Sequence, residues 1–239
     1  MEESRQQRIV GGAVVSPRYS IPWQVYIAPK GRKSACGGTL ISYRHVLTAA
    51  HCTDNWFGGR FREEFYVVVG EHSITSSSDG TRYRVCNFVN HPSYVNKEHT
   101  EGYIDYDLSI LHLKRRVKFG PRVRPAYLPP YHFGNDFLAG KILTVSGWGR
   151  LHAGQEEMPD VLYSVKVTGI RHSQCKRDYG SAKIRSGMLC AGRPSGGVDA
   201  CKGDGGGMFY YLILSKCCIF QIQNQNMHIH FILCRLQSF

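Results

Sequence analysis

The chain has 239 residues, of which 42% are hydrophobic, with 26 Gly, 10 Pro and a formal net charge of +12. This composition argues against a disordered chain and suits a turn-rich β protein, because glycine and proline supply the backbone angles of hairpins. All-β chains of this length commonly form one unit built from two barrels. The basic residues are scattered and no nucleic-acid motif accompanies them, so we predict a solvated basic face and no nucleic-acid partner.

The amino-terminal segment, residues 1–8, has no apolar core and is not predicted to be a signal peptide. Nine cysteines without a metal-type Cys-x-x-Cys spacing nevertheless indicate an oxidising compartment, since the cytosol keeps thiols reduced. We therefore expect an extracellular, secreted protein. The sequence leaves two alternatives open: either this chain is part of a longer secreted precursor, or the route of its export is unexplained.

Short apolar runs separated by turn signals predict the six strands of a first barrel. They are Trp23–Ile27, Gly38–Ile41, His45–Thr48, Phe65–Val69, Tyr83–Val89 and Leu108–Leu113. A turn is predicted at residues 76–80, where three serines precede Asp79 and Gly80.

A second barrel is predicted after the connector Arg122–Pro125. Its clearest strands are Leu143–Arg150 and Val161–Ile170, and a short helix carrying Cys175 follows over residues 171–179. The run Met188–Gly192 then leads into a glycine-rich loop.

Three motifs of this chain match those of one protease family. They are Leu-Thr-Ala-Ala-His-Cys at 47–52, Asp-Tyr-Asp-Leu-Ser-Ile-Leu at 105–111 and Asp-Ala-Cys-Lys-Gly-Asp-Gly-Gly-Gly at 199–207. With Ile-Val-Gly-Gly at 9–12, they make the chain resemble trypsin-like members of the trypsin/chymotrypsin family of serine proteases. The resemblance implies two antiparallel six-stranded β-barrels in a protease domain over 9–207, the first barrel at 9–115 and the second at 116–207.

The resemblance also implies catalytic roles. His51 is expected to act as general base and then acid, and Asp107 to hold its tautomer. Asp105 is a competing carboxylate, but the family's aspartate immediately precedes the Leu-Ser-Ile strand, which selects Asp107.

The nucleophile is missing from the third motif. The family writes Asp-x-Cys-x-Gly-Asp-Ser-Gly-Gly, and Gly205 stands where that serine belongs. Glycine has no hydroxyl to attack a carbonyl, so the chain is predicted to be catalytically inactive. The oxyanion hole needs only the backbone N–H groups of Gly203 and Gly205. Because glycine has no β-carbon, residue 205 has more backbone freedom than serine would, so we expect the loop to be less well ordered.

Other family roles fall on four residues. Asp199 is expected at the base of a specificity pocket for Arg or Lys, and the partners are peptide or protein substrates or inhibitors. An activating protease would cleave after Arg8, making residues 1–8 a propeptide remnant, and the new amino group of Ile9 would pair with Asp204.

The resemblance ends after Gly207. The family's Ser-Trp-Gly segment, glycine-rich wall and terminal helix have no counterpart at 208–239, a divergent tail with neither clear alternation nor turn chemistry. We therefore expect an incomplete second barrel. The most apolar run, Phe209–Phe220, is interrupted by Ser215-Lys216 and is shorter than the roughly 20 residues of a membrane helix, so no membrane partner is predicted.

By resemblance, disulfides join Cys36 to Cys52 and Cys175 to Cys190. Five cysteines keep no assigned partner: Cys86, Cys201, Cys217, Cys218 and Cys234. No cofactor or metal is expected. Calcium in the loop after Glu71 would require more carboxylates than Asp79 provides, and His228-x-His230 near Cys234 is too weak a metal pattern.

Three functions remain open. The chain could be a protease homologue that only binds, an aberrant or truncated product of a gene for an active secreted trypsin-like protease, or a basic glycan- or protein-binding module. The first two both predict inactivity, and a transcript map across Gly207 would separate them. The third requires the basic residues to cluster in space.

Overall fold

The computed structural model describes residues 12–29, 36–57, 65–76, 78–97, 103–128, 134, 136–149, 157–181, 184–185, 188–192, 208–213, 216–224 and 229–232. Within these ranges the chain forms fifteen strands and two short helices. All sheet pairings between these strands are antiparallel. The expected all-β fold is confirmed.

The first half of the chain contains nine strands and one helix. They are β1 (Ala13–Val14), β2 (Gln24–Pro29), β3 (Cys36–Leu40), β4 (His45–Thr48), α1 (Ala50–Phe57), β5 (Phe65–Val69), β6 (Thr81–Asn90), β7 (Val95–Lys97), β8 (Tyr103–Asp105) and β9 (Ser109–Leu113). Six of these strands close into a barrel in the order β2-β3-β4-β9-β6-β5. These are the six strands predicted from the sequence, and every strand end lies within two residues of its predicted position.

Alternating apolar residues build the core of this barrel. Val25, Ile27, Val67, Val69 and Leu111 are all buried. The neighbouring strand β3 carries glycine where the walls approach, because a Cβ at Gly38 would lie 2.9 Å from the Ile27 Cδ1 atom. Gly38 thus allows the barrel to close tightly around large aliphatic side chains.

The second half contains β10 (Ile142–Gly147), β11 (Tyr163–Ile170), α2 (His172–Tyr179), β12 (Met188–Gly192), β13 (Met208–Ile213), β14 (Lys216–Asn224) and β15 (Ile229–Ile232). The pairings run β11-β10-β13-β14-β15-β12 and return to β11. Strand β1 pairs with the start of β11, on the edge opposite β10. Six strands therefore form a complete ring.

The expectation of an incomplete second barrel is wrong. Strand β13 pairs with β10, and β15 pairs with β12, so the tail supplies the three strands that close the ring. The physical reason is that strict alternation is needed only where one face of a strand is buried and the other is in water. Tyr, Ile, Phe and Leu of the tail have high β propensity without alternating, and the open edges of β10 and β12 offer unpaired N–H and C=O groups.

The two barrels are joined by contacts of the segment 71–75. The His72 carbonyl accepts hydrogen bonds from the Leu162 amide at 2.9 Å and from the Trp148 indole at 3.1 Å. The Asp160 carboxylate accepts bonds from Ser73 and Thr75. No helix among the described residues is long and apolar enough to cross a membrane.

Candidate active site

His51 is held where strand β4 passes into helix α1. The Thr48 hydroxyl donates a 2.8 Å hydrogen bond to the Gly37 carbonyl, which ties the end of β4 to β3. Next to His51, Cys52 is bridged to Cys36 of β3. The Thr53 hydroxyl lies 2.7 Å from the Asn90 side-chain oxygen on β6. Three strands of the first barrel therefore fix the first turn of α1.

Asp107 is positioned by a tight turn between β8 and β9. Tyr106 has a φ of +49°, a left-handed conformation that is uncommon for an aromatic residue. The Leu108 amide donates to the Tyr106 carbonyl at 2.7 Å, and the Tyr106 ring stacks on His91 with ring centroids 4.8 Å apart. These contacts hold the turn and place Asp107 at the first barrel, with 1% of the residue exposed.

His51 and Asp107 form a paired acid and base. The Asp107 Oδ2 atom lies 2.6 Å from His51 Nδ1, and Oδ1 accepts a 2.7 Å bond from the His51 backbone N–H. A buried carboxylate is costly unless donors satisfy it, and these two bonds provide that compensation. An ionised Asp107 requires a proton on Nδ1, so Nε2 is the basic nitrogen of the neutral ring.

Asp105, the competing carboxylate, makes a different contact. Asp105 accepts a 3.0 Å hydrogen bond from the Tyr106 amide, and partial burial raises the pKa of its side chain. Sequence reasoning thus found the paired residues but missed the turn that orients them. Tyrosine is not a residue that favours positive φ, so the sequence carried no signal for the Tyr106 conformation.

The loop after Glu71 does not fit calcium. Both oxygens of Asp79 are engaged by protein donors, the Tyr19 hydroxyl at 2.8 Å and the Ser73 amide at 3.2 Å. Glu71 is 9% exposed, and burial raises the pKa of its carboxyl to about 7. The described residues of this loop therefore offer one weakly acidic carboxyl and one carboxylate that already accepts protein hydrogen bonds, where calcium takes six to eight oxygen ligands.

A second group of possible metal ligands contains Cys36, His51 and Cys52, whose ligand atoms lie within 4.8 Å of one another. The two sulfurs are bonded to each other, so neither is a thiolate. This proximity is explained by the disulfide.

The structure pairs Cys36 with Cys52 and Cys175 with Cys190, as the resemblance implied. Cys86 is exposed and carries no disulfide, and its thiol donates to the His112 carbonyl at 3.3 Å. The remaining predicted site residues lie outside the described residues: Arg8, Ile9, Asp199, Gly203, Asp204 and Gly205. Their roles stay predictions.

Comparisons with known proteins agree with this architecture. The trypsin family model matches residues 9–211. The clotting factor G beta subunit of Tachypleus tridentatus is 32% identical over 212 residues, which cover 85% of this chain and 66% of that protein. Ovochymase-2 of Mus musculus is 36% identical over 204 residues, 84% of this chain and 32% of that protein.

Kallikrein-12 of Homo sapiens is 37% identical over 192 residues, which cover 80% of this chain and 70% of that protein. The chain thus spans just under two thirds of the clotting factor subunit and about a third of ovochymase-2. The family model, the closed first barrel and the paired His51 and Asp107 lead to the same assignment. The chain belongs to the trypsin family of serine proteases.

Proposed function

We propose that this chain is a trypsin-like protease homologue that keeps the catalytic base and its aspartate but does not hydrolyse peptide bonds. The observation that carries the proposal is the combination of a 2.6 Å bond between His51 and Asp107 with a glycine at 205, the nucleophile position. The base is supported, and its proton donor is missing.

The chemistry of the family explains why this loss is decisive. The histidine Nε2 atom takes the serine hydroxyl proton while the serine oxygen attacks the carbonyl carbon, and it later protonates the leaving amine. Gly205 has no side-chain oxygen, so no acyl-enzyme can form at this position. Because the triad acts as a unit, loss of its nucleophile leaves only about 10³- to 10⁴-fold acceleration over water from binding and oxyanion stabilisation.

Trypsin-family proteases act on peptides or proteins, and this chain is proposed to bind the same class of ligand. Asp199 would select Arg or Lys side chains, since a carboxylate at a pocket base discriminates strongly by charge. Cleavage after Arg8 would free Ile9 to pair with Asp204. The two disulfides support an extracellular location.

The test is the dependence of hydrolysis on His51. Full-length protein and the His51→Ala variant, each with and without cleavage after Arg8, are incubated with an arginine ester. The proposal predicts the same residual rate for both proteins, because Gly205 offers His51 no side-chain hydroxyl from which to take a proton. A rate that falls by about 10²-fold or more in His51→Ala would show that His51 drives hydrolysis and would contradict the proposal.

A further inference from the structure

Six exposed basic residues lie on three segments of the first barrel whose backbones are hydrogen-bonded to one another. The Lys114 amide donates to the Arg84 carbonyl at 2.9 Å, and the Leu113 amide donates to the Arg44 carbonyl at 2.9 Å. The run after β9 therefore lies between β6 and the turn that precedes β4. We name the resulting surface the basic band: Arg44, Arg84, Lys114, Arg115, Arg116 and Lys118.

Further contacts fix this arrangement. The Val117 amide donates to the Tyr43 carbonyl at 2.7 Å, and the Lys118 amide lies 3.4 Å from the Tyr83 hydroxyl. The Arg116 guanidinium sits 4.4 Å from the centre of the Tyr43 ring. The backbone of the run is thus anchored on both sides, so its charged side chains extend from a fixed base.

The band is exposed and strongly positive. All six of its residues are exposed. The segments 43–45, 82–86 and 112–118, which carry the band, contain no Asp or Glu. Clustered cations of this kind create a local positive potential that attracts polyanions and raises their association rate.

The band lacks the apolar anchors of a protein interface. Protein partners are usually held by buried aromatic or aliphatic side chains at the centre of the contact. Among the residues that the structure describes, Tyr43 is the exposed aromatic beside the band, and it already stacks on Phe119, with ring centroids 4.0 Å apart. A partner recognised by repeated negative charge alone fits this surface better, and the disulfides favour an extracellular one.

We propose that the basic band binds a sulfated glycosaminoglycan, an extracellular polysaccharide with repeated anionic groups. The band begins at the far end of β9 from Asp107, and that five-residue strand spans about 16 Å. Binding at the band therefore leaves the paired His51 and Asp107 in place, and it is independent of whether the chain hydrolyses peptides.

The test uses the full-length protein with heparin fragments as the probe. One variant carries Lys114→Gln, Arg115→Gln and Lys118→Gln. The matched control carries Lys166→Gln, Arg171→Gln and Arg177→Gln, three exposed cations of the second half of the chain, and it lowers net charge equally. We expect the band variant to bind heparin about tenfold or more weakly at about 0.15 M NaCl, with a shallower salt dependence, and the control to lose less than threefold.

Thermal unfolding of each variant shows that the fold is kept. Equal losses in the two variants would mean that net charge, not the band, attracts heparin, and would overturn the proposal. Tighter binding of the unmodified protein to poly-glutamate or to duplex DNA than to heparin would overturn it as well, in favour of an acidic protein or a nucleic acid. Selective loss in the band variant, together with preference for heparin, supports it.

Discussion

The Ser146 hydroxyl on β10 donates a 2.7 Å hydrogen bond to the Gln24 side-chain oxygen on β2. This bond joins the two barrels through residues that are 0% and 2% exposed. Beside it, Tyr26 and Trp148 pack edge to face with ring centroids 5.6 Å apart. The junction is therefore a buried contact in which Ser146 supplies the donor for the Gln24 side-chain oxygen.

Replacing Ser146 by alanine is expected to destabilise the protein by about 1–3 kcal/mol, because the buried Gln24 oxygen loses its donor. The free energy of unfolding from urea titrations measures the effect. Ser173→Ala on the exposed side of α2 is the control and should change stability by less than about 0.5 kcal/mol. Equal effects of the two substitutions would show that the buried bond contributes nothing specific.

The raised pKa of Glu71 predicts that the folded protein loses stability as pH rises. Burial raises its pKa from 4.5 to about 7, the carboxylates of Asp79 and Asp160 add to the rise, and the His72 amide and Arg82 oppose it. Because the folded state holds this proton more tightly than the unfolded state, protonated Glu71 stabilises the fold, and the stabilisation is complete below the unfolded-state pKa of about 4.5. It is lost as pH rises through the folded-state pKa of about 7. Between pH 5 and 8 the wild type should lose on the order of 2 kcal/mol relative to Glu71→Gln.

The measurement is the difference in unfolding free energy between wild type and Glu71→Gln across that pH range. Contributions of other groups cancel in this difference to first order. Glu157→Gln, at an exposed position, is the control. A flat difference for Glu71→Gln would mean that the buried carboxyl titrates normally.

The tail is expected to stabilise the second barrel. A chain ending after residue 207 leaves the β10 and β12 edges unpaired, while a chain ending after Ile232 keeps β13, β14 and β15. In the shorter chain, hydrogen exchange should show loss of protection over 142–147 and 188–192 and retained protection over 65–69 and 109–113. If both chains protect β10 and β12 equally, the tail strands do not close the ring.

The sequence predicted the first barrel closely because its strands combine apolar alternation with turn signals. It also selected Asp107 over Asp105, through resemblance. It failed at the tail, since the pairing of β13 and β15 depends on distant backbone edges that no local pattern reports. It also missed helix α1, the β7–β8 hairpin and the left-handed Tyr106, where tertiary contacts override weak local preference.

Restoring serine at 205 is not expected to restore normal activity. The chain has no tryptophan after Trp148, so the family's Ser-Trp-Gly segment, which lines the substrate pocket, is absent. Substrate positioning contributes several kcal/mol to catalysis, so Gly205→Ser should have a kcat/KM for an arginine ester at least about 10²-fold below that of a chimera carrying both serine and a family-type ending. Equal kcat/KM values in the two proteins would show that the native tail supplies a working pocket.

The most direct test of the inactive-homologue account is covalent labelling of the protein, uncleaved and cleaved after Arg8, by a serine-directed phosphonate. Such probes react with a nucleophilic oxygen that a neighbouring base activates. Intact mass spectrometry should show no adduct on the wild type and none on His51→Ala. An adduct on the wild type that disappears in His51→Ala would reveal an activated nucleophile despite Gly205, and would contradict the account.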